Sequence, residues 1–119
     1  VSVVSSQLSG VGGLVLVVRL PAQLVDDTSA LIREEVLQRL PNAEGAGLVL
    51  DCADVSLINS IGITCLLQVQ DHCRRMKASM RLAAIPPSIE RFLRTVKLDK
   101  RFPSAGTVEE AVGALDAPG

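Results

Sequence analysis

Apolar and polar positions follow two rhythms along this chain. "LVLVVRL" (Leu14–Leu20), "LVLD" (Leu48–Asp51) and "MRLAAI" (Met80–Ile85) are short apolar runs of strand length, the first a β-branched run suited to a buried strand. Between them the apolar residues recur at helical spacing. Ile32, Val36, Leu37 and Leu40 predict a helix that starts near Asp26, Asp27 and Thr28 and stops at Pro41. A second helix is predicted from Ser60 to Lys77. A third carries the stripe Ile89, Phe92, Leu93 and Val96 behind two prolines. The last opens with a Thr107–Glu110 capping box and turns Val108, Ala111, Val112 and Leu115 to one side.

The remaining segments complete the order. "VSVVSS" (Val1–Ser6) reads as a strand joined to Leu14–Leu20 through a glycine-rich hairpin turn, Gly10–Gly13. These glycines lead into a strand rather than a helix, which argues against a phosphate-binding loop. Asn42–Gly47 reads as a loop, "RFP" (Arg101–Pro103) as a short edge strand, and the final Ala-Pro-Gly as loose. The order β-β-α-β-α-β-α-(β)-α predicts one α/β domain over residues 1–119. Its sheet is mixed but mostly parallel, with about four to five strands and about four helices, joined by right-handed crossovers.

Composition narrows the function. The 119 residues are 48% apolar and include only two aromatics, Phe92 and Phe102, so the core must be aliphatic. Net charge is −1 with acids and bases interspersed, which argues against nucleic-acid binding through a broad basic surface. There is no apolar run of membrane-spanning length and no basic segment leading an apolar one at the start, so no membrane insertion and a cytoplasmic location are expected. Cys52, Cys65 and Cys73 are an odd set beside apolar segments, which fits reduced thiols. The single histidine, His72, has no second Cys/His pair, so no metal and no cofactor are expected. No nucleophile–base pair or carboxylate pair stands out, so an enzyme is not expected.

The informative stretch is "GLVLDCADVSLINSIGITCLL" (Gly47–Leu67), in which a strand passes through a loop to a helix at Asn59-Ser60. A helix start exposes unpaired amides and carries partial positive charge. Asn59 suits the cap, Ile58 and Ile63 suit a hydrophobic staple, and Ser60 is then the first helical residue. A phosphate on Ser60, or a bound anion, would be well held there, although Asn-Ser also serves simply as a cap. Gly62, just inside the helix, implies close approach of another backbone, either within the fold or from a partner. Ser56 and Thr64 are further hydroxyls nearby, and Thr64 is placed to bond its own backbone.

This stretch resembles the signature of the STAS domain, found in bacterial anti-sigma factor antagonists and in the tails of sulfate transporters. Asp51 matches the strand-end Asp, Val55 the loop Val, Ser60 the phosphoacceptor serine and Gly62 the glycine. "VVRLPAQLVDDTSALI", "MRLAAIPPSIERFLRTVKLDKRFP" and "TVEEAVGAL" extend the resemblance over nearly the whole chain.

The resemblance implies a partner, an anti-sigma factor that is also a serine kinase. It binds through Gln23, Asp26, Ser56, Asn59, Ser60, Ile61 and Gly62, and a phosphatase reverses phosphorylation of Ser60. Two departures stand out. The family usually carries Asp before the serine, where this chain has Asn59. It also reads Gly-Glu-Leu-Asp where this chain reads Ala22–Val25, which removes acids at Gln23 and Val25; Asp26, one residue on, can stand in. The alternative is a non-phosphorylated STAS scaffold or an accessory subunit of a stress-signalling or membrane-transport complex. The bases Arg91, Arg94, Lys97, Lys100 and Arg101 are expected on the solvated back of a helix.

Overall fold

The computed structural model describes residues 4–8, 14–40 and 46–116. Eleven elements follow one another: β1 (Val4–Leu8), β2 (Leu14–Arg19), β3 (Gln23–Leu24), α1 (Asp26–Arg39), β4 (Gly47–Asp51), β5 (Leu57–Ile58), α2 (Ser60–Arg75), β6 (Ser79–Ala83), α3 (Pro87–Thr95), β7 (Ser104–Ala105) and α4 (Val108–Asp116). Five strands form one sheet in the order β1-β2-β4-β6-β7. The β1–β2 pair is antiparallel and every other pair is parallel, so the expected mixed, mostly parallel α/β sheet with four helices is what forms.

Strand alternation gives the sheet two apolar faces. Leu16, Val18, Leu48, Leu50, Met80 and Leu82 join the larger core with residues of α1, α2 and α3. Val15, Val17, Val49 and Ala83 face the other way and pack with Ala111, Val108 and Val112 of α4. Val18, Leu48, Val49 and Leu50 are fully enclosed, as a central parallel strand pair requires.

Several expectations shift. Within the described residues the first strand covers Val4–Leu8, two residues beyond the expected Ser6, while residues 1–3, its turn at Gly10–Gly13, most of the Asn42–Gly47 loop and the final Ala-Pro-Gly lie outside them. The short edge strand is Ser104–Ala105 rather than Arg101–Pro103; it pairs only with Leu82 and Ala83. Leu37 and Val96 are 49% and 40% exposed rather than core. The inward face of α1 is Ser29, Ile32 and Val36, and a four-residue step from these leaves Leu37 on the flank.

Helices α2 and α3 end in the same tight turn. After α2, Lys77 adopts φ 58° while Ala78 N–H bonds Cys73 C=O at 2.8 Å and Lys77 N–H bonds Arg74 C=O at 3.1 Å. Lys97 repeats this after α3 at φ 62°. These are helix-ending motifs in which glycine is usual, so a lysine there carries left-handed strain. The second helix therefore ends at Arg75, short of the expected Lys77.

Candidate functional site

Two short strands that periodicity does not reveal build the corner at Asn59-Ser60. β3 and β5 pair in parallel, Gln23 opposite Leu57 and Leu24 opposite Ile58, as a separate two-stranded sheet. Ser56 and Leu57 N–H groups bond the Ala22 carbonyl at 2.8 and 3.1 Å. This small sheet brings the starts of α1 and α2 together.

At α2, Asn59 is the cap: its Oδ1 accepts from Gly62 N–H at 2.9 Å, and Ile63 N–H bonds the Asn59 carbonyl at 3.0 Å. Ile58 is buried before it and Ile63 partly buried after it. Of the first-turn amides, those of Ser60 and Ile61 are left for another acceptor. Thr64 spends its hydroxyl on the Ser60 carbonyl at 3.0 Å. Gly62 has a reason inside the fold. A Cβ there would collide with the Leu24 carbonyl of β3 and come within 2.8 Å of Ile58. Gly62 is buried and shapes the corner from beneath.

At α1 the capping differs from expectation. Val25 occupies the cap position, and Thr28 serves it from inside the helix, accepting from Val25 N–H at 3.0 Å and donating to the Gln23 carbonyl at 2.6 Å. Asp26 is thereby free to reach across, and its Oδ1 accepts from Asn59 Nδ2 at 3.1 Å. Asn59 thus uses both ends of its amide, one on its own helix and one on the neighbouring helix. An aspartate there would keep the first bond and set two carboxylates against each other.

All seven residues singled out from the sequence gather at this corner. Gln23, Asp26, Ser56, Ser60 and Ile61 are exposed, Asn59 is half-buried and Gly62 is enclosed. The Ser56 hydroxyl donates to the Ala22 carbonyl at 3.2 Å, which gives it a structural duty. Leu57 was not anticipated. It is 49% exposed and shares the surface with Ile61 at 45%. Pairing with β3 turns Ile58 inward and Leu57 out, and the run Val55-Ser56-Leu57-Ile58 does not signal this, because Val55 two positions before Leu57 is buried.

The surroundings offer little chemistry of their own. His72 stands twelve residues along α2 from Ser60, roughly 18 Å at helical rise, too far to act as its base. Burial pushes the Cys52 thiol up to about 12 and the Cys73 thiol up to about 11; it raises Cys65 too, against the opposing pull of Arg33. All three cysteines are free and buried, hence poor nucleophiles. Among the described residues no cluster of three metal-binding side chains occurs, and no helix is long and apolar enough to cross a membrane. The corner is suited to accept a group or a partner.

Known structures share this architecture. An anti-sigma factor antagonist (STAS) domain protein from Planctomyces limnophilus superposes with a TM-score of 0.77 at 19% identity, covering 94% of this chain and 96% of that one. An anti-sigma factor antagonist from Mycobacterium paratuberculosis does so at 0.71 and 21% identity, covering 96% and 95%. The murine Solute Carrier 26 family member A9 anion transporter matches at 0.72 and 18% identity, over 94% of this chain but 18% of the transporter. The family model described as STAS domain matches residues 6–111. With nearly the full described sheet inside that match, the chain belongs to the STAS domain family.

Proposed function

We propose that the chain is a regulatory binding module of the anti-sigma factor antagonist kind, acting in the cytoplasm. It docks through the corner onto an anti-sigma factor with serine kinase activity, and phosphorylation of Ser60 releases it. The observation that carries this reading is the position of Ser60: an exposed first helical residue between exposed Leu57 and Ile61.

Leu57 and Ile61 supply apolar contact, and Ser60 between them can be covered by a partner at small cost while it is a hydroxyl. A phosphate adds nearly two negative charges at the middle of that contact, near Asp26, which is bonded to the neighbouring Asn59. The amides of Ser60 and Ile61 and the helix dipole stabilise it in the free protein. In the complex it must be desolvated against the partner, so binding is lost without refolding. A phosphatase then resets the module. Among the described residues His72 is too far along α2 to activate Ser60, which leaves that step to the kinase.

The test uses a serine kinase of the anti-sigma type from the same genome, with ATP and mass spectrometry. Phosphate should appear on Ser60, vanish in Ser60→Ala, and Ser60→Asp should weaken binding at least about a hundredfold. No phosphate on Ser60, together with undiminished binding by Ser60→Asp, leaves a constitutive module. Likeness to the transporter's domain supports the second reading, an accessory or scaffold unit of a transport complex. Copurification with transporter subunits rather than the kinase would favour it.

A further inference from the structure

Arginine on an apolar sheet face needs compensation, because a guanidinium stays charged and is costly to take from water unpaired. Arg81 sits in β6 opposite Val49, on the side of the sheet shared with Val15, Val17 and Ala83. Its Nε is buried and has no hydrogen-bond partner. It lines a cavity of about 550 Å3 between the C-terminal half of α2, the first half of β6 and α4.

Two more arginines line the same space, Arg74 from α2 and Arg101 from the segment before β7. Among the described residues no carboxylate lines it, and none of the three arginines is in an ion pair, whereas Arg19, Arg39, Arg75 and Arg94 are. Arg101 is exposed as expected, but it lies beyond the end of α3 and is held in place. Its Nε donates to Gln70 Oε1 at 2.9 Å, and its carbonyl accepts from Gln70 Nε2 at 2.7 Å. Gln70 is 6% exposed, a buried amide whose two ends both serve one arginine. The remaining guanidinium nitrogens are left to meet a ligand.

We propose that this cavity binds a small polyanion bearing phosphoryl groups, gripped by Arg74, Arg81 and Arg101. Guanidinium forks match phosphoryl oxygens bidentately, and three of them exceed the need of a single carboxylate. The volume is that of a small-molecule site rather than of a lone ion. It lies roughly 20 Å along α2 from Ser60, a site separate from the corner.

Calorimetric titration of the chain with inorganic pyrophosphate at low ionic strength tests this, with amide chemical shifts to locate the site. Saturable one-to-one binding is expected, with shifts centred on Gln70, Arg81 and Arg101. Binding should fall about tenfold in Arg74→Gln and Arg101→Gln and hold in Arg91→Gln on α3. Arg81→Gln should lose more, and the two exposed variants keep the test decisive if that strand variant does not fold. No saturable binding, or an equal loss in Arg91→Gln, overturns the site. Succinate binding as tightly as pyrophosphate overturns the phosphoryl assignment.

Discussion

At its first turn α2 meets the Asp26 carboxylate of α1, whereas the cavity against its C-terminal half is lined by three arginines and, among the described residues, by no acid. Both ends depend on a polar side chain that uses two hydrogen bonds to tie separate segments: Asn59 joins α2 to Asp26 of α1, and Gln70 joins α2 to Arg101. The difference is burial. Asn59 is half exposed and works at a surface, while Gln70 is enclosed. Under the proposed function the corner changes charge in the open, whereas the far end keeps a fixed positive charge in a recess.

Substitutions along this one helix separate the two ends. Gly62→Ala should act most strongly, because its methyl has no space against the Leu24 carbonyl; a loss of about 3 kcal/mol is expected in urea unfolding. Pyrophosphate binding by the folded fraction should persist. Asn59→Ala should cost about 1–2 kcal/mol by removing the cap and the bond to Asp26. Asn59→Asp keeps the cap but opposes two carboxylates, which raises the folded-state pKa of the introduced group. Its deficit should therefore be present at neutral pH and shrink as the pH falls through about 4. A deficit that does not change with pH would show that the two groups do not face each other.

Gln70→Leu should cost about 1 kcal/mol, because both ends of the Arg101 tether go at once, while partner binding at the corner is unaffected. The smallest effect is a gain. Lys77→Gly relieves the left-handed conformation after α2 and should raise stability by about 0.5 kcal/mol, read as a higher unfolding midpoint with both binding activities unchanged.

The strands and helices that carry long patterns were legible in the chain, and so was the cap at Asn59, because Asn before an apolar helix is a local signal. The β3–β5 pair was not, since two-residue strands show no period. The α1 cap is not visible in the sequence, because Thr28 works backward from inside the helix to serve the backbone of Val25, whose side chain has no polar atom. Gly62 announced a close approach, but only the fold shows that the approaching backbone is β3. Arg101 read as one more base after α3, because the glutamine that holds it lies 31 positions earlier. Contacts at that separation leave no mark on local pattern.

The brevity of β7 has a consequence for solubility. It covers β6 only at Leu82 and Ala83, so among the described residues Ser79–Arg81 forms an open sheet border. Such borders recruit other strands into aggregates unless charge interrupts them. Arg81 within the border and Arg101 beside it provide that interruption, so neutralising both should make the chain prone to self-association even where the domain still folds.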